Sequence, residues 1–370
     1  MSGLIFILIL SFLVIIHELG HFLVARWSKI TVEEFGMGYP PKAVTIRTDK
    51  RGTAYTINWL PFGGFVRMKG EDSDDSTVGS FSSRPVWQRL LVVLAGASVN
   101  FIFGVLAFGA IYSRHGIPTD LGMVKIESVG TQSPAAAAAV QPGIMVKQLK
   151  VGSVTVVTKT ASDLVKVVQQ HRGETITLVT NDGKDYPVYV RTAEQTPAGE
   201  GSMGVSLTDM EVRYYPWWQM PLRGMWEGTK QAVSFGKLIL TSLGDMVVQL
   251  ATKGKMPQEV SGPVGIVYAA EKEGFLKAGF WAQLNFAAIL SINLAIVNVL
   301  PFPALDGGRA LFLWWELLTR RRVNQKVEIW LNTVGFALLI LMIVLISFRD
   351  ILKVLADPTI RGWFSHLMAR

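Results

Sequence analysis

The sequence predicts a polytopic α-helical membrane protein in which four spanning helices frame a short β region and carry one external mixed α/β domain. Three observations lead there. Half of the 370 residues are hydrophobic and only 17% are charged, where soluble chains carry about a quarter. Four long apolar runs are spread along the chain. Between them lie stretches rich in valine, threonine and glycine, with the alternation and turn residues of strands.

The first run, Leu4 to Ala25, has only His17, Glu18 and His21 as ionisable members. As a helix it rises about 33 Å, enough to cross the hydrocarbon core. It lacks the basic start and small-residue cleavage site of a signal peptide, so it is expected to stay in the mature protein. Leu90 to Tyr112 is a second run; Phe280 to Val299, with Gln283, Asn285, Ser291, Asn293 and Asn298, is a third; Ile329 to Phe348 is the fourth. Between the first two, Ala43 to Thr48 and Thr53 to Trp59 read as strands around the turn Asp49-Lys50-Arg51-Gly52. Pro61-Phe62-Gly63-Gly64 leads into a short strand, Phe65 to Met68, and Glu71 to Arg84 is an exposed acidic loop.

Residues 121 to about 210 form the mixed α/β domain, with strands such as Thr175 to Thr180 and helices over Pro134 to Val140 and Ser162 to His171. From Tyr214 to Leu250, Ala232, Phe235, Ile239, Leu243, Met246 and Leu250 recur at helical spacing beside Trp217, Trp218 and Trp226. Two readings stand there: an amphipathic helix in the membrane interface, or one packed on the external domain. The expected divisions are 1–112, 113–211, 212–279 and 280–370.

The formal charge of +8 does not mark a nucleic-acid binder. The cations gather beside apolar runs, from Arg26 to Arg89 and from Arg309 to Lys326, and do not interleave with aromatics on one groove-like surface. That is the pattern of loops kept inside by the positive-inside rule, and it puts both termini and residues 113 to 279 outside. With no cysteine, a metal must be held by histidine and carboxylate.

His17-Glu18-Leu19-Gly20-His21 carries the chemistry. On a helix, residues four apart differ by about 40° around the axis, so both imidazoles can approach one ion. Glu18 lies about 60° from His21, placed to accept a proton from a zinc-activated water. The bland reading is a pair of histidines hydrogen-bonded within a helix bundle; three ionisable groups in one apolar helix are costly without partners. His115, His171 and His366 have no comparable spacing.

A catalytic zinc site normally has three protein ligands. Asp306, in the segment Asn298 to Gly308, is the outstanding candidate for the third. Pro301, Pro303, Gly307 and Gly308 must interrupt the helix there, and broken helix at membrane depth is tolerated only where protein or water lines it. The alternative is a loop aspartate just outside the membrane.

Together these motifs resemble the site-2 protease family of intramembrane zinc metalloproteases, in the bacterial branch typified by the regulator of sigma-E protease. Weaker likenesses extend over most of the chain. Pro61 to Met68 resembles the family's membrane-associated β region, Ala95 to Phe101 its second core helix, residues 121 to 210 its extracytoplasmic PDZ domain, and Ser261 to Gly265 a segment before the third core helix. The resemblance implies a four-helix metalloprotease core in the bacterial inner membrane, with His17, His21 and Asp306 as zinc ligands, Glu18 as catalytic base and Asn298 holding the substrate backbone. An amide bonding between helices is the plainer role for Asn298. Membrane lipid and single-pass membrane proteins pre-trimmed by another protease, such as anti-sigma factors or remnant signal peptides, are the implied partners.

Two features depart from the pattern. The spacing allows one PDZ domain where relatives often carry two, and Ile144 follows Gln141-Pro142-Gly143 where aspartate is common. Two other classes compete. An idle membrane chaperone or scaffold has no need of both histidines, Glu18 and Asp306. A metal transporter would want further intramembrane carboxylates or histidines, and the second and fourth runs have none.

Overall fold

A computed structural model describes residues 2–71, 75, 77–197, 199–254 and 262–356. The chain divides into two compact units: Met1–Arg114 with Pro221–Arg370, and His115–Met220.

The first unit begins with α1 (Ser2–Trp27), an antiparallel hairpin of β1 (Val32–Thr48) and β2 (Ala54–Met68), and α2 (Val86–His115). The strands are longer than expected. β2 continues through 61–64, because a two-stranded ribbon has free edges that tolerate proline and repeated register shifts absorb the irregular backbone. Phe22 of α1, Phe35 and Tyr55 form an aromatic cluster with ring centroids 5.3–6.2 Å apart, which seats the ribbon on the helix. Of the acidic loop, 72–74 and 76 lie outside the described residues.

The second unit is the mixed α/β domain. It comprises β3 (Ile117–Val129), α3 (Pro134–Ala137), β4 (Met145–Val151), β5 (Val154–Val157), α4 (Ala161–Gln170), β6 (Thr175–Thr180), β7 (Asp185–Tyr189) and β8 (Val205–Arg213). The sheet runs β7-β6-β4-β3-β8, antiparallel throughout, with β5 paired to β4. The Thr160 side chain accepts from Asp163 N at 3.1 Å and starts α4. Leu164 and Val168, one helical turn apart, then enter a core with Val124, Ile126, Leu149 and Ile176.

The first unit resumes with α5 (Met220–Lys253), α6 (Pro263–Lys272), α7 (Phe280–Val299), α8 (Asp306–Thr319) and α9 (Gln325–Ala356). Among the described residues, five helices are long and apolar enough to cross a membrane: Gly3–Trp27, Val86–His115, Met220–Thr252, Phe280–Val299 and Gln325–Ala356. Four match the expected spans. The additional one is α5, and neither expected role covers its first half, which packs on α2 and α7.

The reason is a stripe of small residues every four positions, Gly224, Gly228, Ala232 and Gly236. A Cβ on Gly228 would stand 2.8 Å from the Val105 carbonyl oxygen and 2.9 Å from Gly109 Cα, so the two backbones touch there. Ala232 is fully buried, Phe235 stacks on Phe108 with centroids 5.8 Å apart, and Gly236 faces Ile296 of α7. Leu240, Val247 and Val248 further along are exposed. Gly228→Leu is expected to cost about 1–3 kcal/mol as overpacking, read as a lower unfolding midpoint in detergent. An unchanged midpoint would remove this contact as a support of the bundle.

Candidate metal centre

The centre forms where α1, α2 and the break between α7 and α8 meet. His17 and His21 sit one turn apart on α1, both buried. α2 approaches them closely at Gly96, where a Cβ would stand 2.7 Å from both Cε1 and Nε2 of His17. No larger residue fits without moving the imidazole. His21 Nδ1 donates to the Val92 carbonyl at 2.8 Å, which fixes the tautomer and leaves the lone pair on Nε2.

The third group comes from the broken segment. α7 ends at Val299, and the backbone turns through Leu300 and through Ala304 at φ +78° before α8 opens at Asp306. The Ala304 N–H freed by the break donates to Asn332 Oδ1 of α9 at 3.2 Å. Asp306 thereby projects its carboxylate onto the two imidazoles. Its Oδ2 lies 3.1 Å from His17 Nε2 and 3.4 Å from His21 Nε2, and the two nitrogens are 3.1 Å apart.

That triangle fits zinc. Ligands at 2.0–2.2 Å in tetrahedral array stand about 3.3 Å from one another. The chemistry agrees with the geometry: an imidazole lone pair and a carboxylate oxygen repel at this range unless a cation or proton lies between them. Asp306 Oδ2 is buried and has no hydrogen-bond donor. Among the described residues, these three form the one cluster of histidine and acid side chains able to hold a metal.

Glu18 lies outside the triangle and lines the adjacent cleft, a space of about 700 Å³ shared with His21, Tyr39, Phe65, Asp306 and Asn332. Gly64 of β2 is placed so that a Cβ there would meet Glu18 Cγ at 3.5 Å. The ribbon thus walls the side of the cleft on which Glu18 opens. Asn298, near the end of α7, brings its Nδ2 to 3.4 Å from His17 Nε2. All five residues singled out in the sequence therefore meet in one place.

Two polar groups carried no signal. Asn100 is fully buried on α2, with its amide 3.4 Å from His17 Nδ1. With a metal on Nε2 the imidazole proton sits on Nδ1, and the acceptor it needs is the Asn100 carboxamide oxygen, reached by a half-turn of that amide. Asn332 is the other. Asn100→Leu is expected to weaken zinc binding by about 10–100-fold, measured by competition with a chelator; wild-type affinity would reduce Asn100 to packing.

The model of peptidase family M50 matches residues 5–342. A Clostridium perfringens protein named "Putative zinc metalloprotease" is 31% identical over 348 residues, covering 94% of this chain and 97% of that protein. Proteins named zinc metalloprotease RasP from Geobacillus kaustophilus and Bacillus licheniformis are each 28% identical, again over 94% of this chain and 97% of theirs.

Proposed function

The chain belongs to peptidase family M50 and is a multi-pass zinc metalloendopeptidase of the membrane, and on that premise we propose that it cuts the transmembrane segments of single-pass membrane proteins. One observation carries the reading: the triangle of His17, His21 and Asp306 is formed by membrane-spanning and broken helices, with Glu18 beside it on an open cleft.

In this reading His17 Nε2, His21 Nε2 and an Asp306 oxygen hold the ion. The chemistry zinc supplies when bound is polarisation of a carbonyl and a lowered pKa for water. Glu18 is the general base: its carboxylate accepts a proton from the attacking water and later delivers it to the amine that leaves. Val92 and Asn100 keep the imidazoles turned towards the ion.

A helical substrate hides its carbonyls in i to i−4 hydrogen bonds, so it must unwind before it can be cut. The β1–β2 ribbon, walling the cleft through Gly64, Phe65 and Val66, offers replacement backbone bonds by strand addition. Asn298 holds a freed backbone group. The α/β unit is a single PDZ-like domain that admits only pre-trimmed substrates. In this reading four helices cross a bacterial inner membrane, with both termini and this domain on its extracytoplasmic side; Lys237 and Asp245 on exposed positions of α5 support leaving that helix out of the crossings.

The test is cleavage of single-pass reporters by the purified enzyme in membranes, with the cut site located by mass spectrometry. Cuts inside the apolar stretch are expected; cuts confined to the soluble flanks would overturn the intramembrane reading.

A further inference from the structure

The C-terminal end of α1 carries a second feature that catalysis does not use. Just past the helix the chain turns at Lys29 into β1, and a cavity of about 430 Å³ lies among Arg26, Trp27, Lys29, Thr31, Arg51 and Thr53. The cations come from different parts of the chain. Arg26 and Lys29 belong to the helix end, whereas Arg51 is brought in by the β1–β2 turn.

Asp49 is the acid that faces them. Its Oδ2 accepts from Arg26 Nη1 at 2.7 Å, and its Oδ1 accepts from the Arg51 and Thr53 amides at 2.8 and 3.0 Å. Asp49 therefore answers Arg26 and shapes the turn that presents Arg51. Lys29 and Arg51 are exposed and form no ion pair among the described residues. The cavity is thus left with unneutralised positive charge.

An apolar track leads up to it. Leu19, Leu23 and Trp27, four residues apart on α1, are 38%, 54% and 67% exposed. They form one stripe along the helix face, ending where the apolar span ends. A tryptophan at that point marks the boundary between hydrocarbon and headgroups.

From the cationic cavity and this stripe we infer that the end of α1 is a binding site for an anionic phospholipid. The phosphodiester enters between Lys29 and Arg51, beside Arg26, and an acyl chain lies along Leu23 and Leu19. A free phosphate would use the cations but gain nothing from the stripe. A zwitterionic lipid would bring its own cation into a cavity that already has an excess.

The experiment uses the full chain in nanodiscs of phosphatidylcholine with or without phosphatidylglycerol. Lipid retained after release is counted by native mass spectrometry. Wild type is expected to retain phosphatidylglycerol in preference to phosphatidylcholine. The preference should fall roughly fivefold for each cation removed in Lys29→Gln and Arg51→Gln, the worth of one basic side chain near an anionic surface. Lys50→Gln, on the same turn but outside the cavity, should change it little. Unfolding midpoints in pure phosphatidylcholine should be the same for all, showing that the variants fold. In phosphatidylcholine discs, inorganic phosphate should not raise the wild-type midpoint, whereas phosphatidylglycerol should. The inference fails if the Lys29→Gln/Arg51→Gln variant retains phosphatidylglycerol like wild type, or if Lys50→Gln loses as much. It also fails if phosphate alone reproduces the stabilisation, which would make the cavity a free-anion site.

Discussion

Replacing Glu18 by glutamine should leave one zinc per chain and reduce cleavage by about 10²–10⁴-fold, the usual contribution of a positioned general base. The two halves of that result follow from different facts. Zinc stays because the triangle is made by His17, His21 and Asp306 alone, and glutamine has the size and shape of the residue it replaces. The His21–Val92 hydrogen bond that orients one ligand does not involve position 18. Activity falls because an amide cannot take a proton from water at neutral pH, and among the described residues no other free carboxylate lines the cleft. Glu71 lines it too, but is paired with Arg309. The measurements are metal content by mass spectrometry and reporter cleavage on the same preparation. Loss of zinc together with activity would make Glu18 part of the coordination. Cleavage at the wild-type rate would mean that the base lies elsewhere, or that the scaffold reading deserves revival.

The legibility of this site in the sequence was uneven, for physical reasons. His17, Glu18 and His21 are close in the chain and lie on one helix, so spacing alone brings them together. Asp306 was readable because an unfilled coordination position and a segment that cannot remain helical pointed at each other. Four of the five long helices among the described residues follow directly from the long apolar runs.

What sequence could not give is pairing across the chain. The Val92 carbonyl that orients His21, the Asn100 amide beside His17 and the Asn332 oxygen that takes the Ala304 N–H act on partners 28 to 83 residues away. An asparagine in an apolar helix looks the same whether it meets an imidazole or another helix. α5 shows a different failure. Its tryptophans and apolar spacing leave an interfacial helix and one packed on the external domain equally open, whereas the small-residue stripe, a weaker signal, decides the packing once α2 is present. In β2, Pro61 and the glycines after it stand between two expected strands, and a ribbon edge accommodates them within one.

The opposite pattern to the glutamine variant is expected from Asp306→Asn: zinc affinity should fall by more than about 100-fold, beyond the 10–100-fold range for residues that only support a ligand, and cleavage should fall with it. The substitution keeps shape and the helix start but removes the charge that two imidazoles and a divalent ion require at this depth. Its position leaves little room for compensation. Ala304 is held at φ +78°, a conformation that L-residues adopt at a cost. A Cβ on Gly308 would stand 2.9 Å from the Phe302 carbonyl carbon, so the backbone packs on itself through this segment. Asn332 holds the Ala304 amide, so the carboxylate cannot be replaced by shifting the segment along. Adding zinc in excess should therefore restore part of the activity to Asp306→Asn and none to Glu18→Gln, because only the first defect is one of occupancy. Wild-type zinc affinity in Asp306→Asn would take the carboxylate out of the coordination sphere, and the third ligand would have to be sought outside the broken segment.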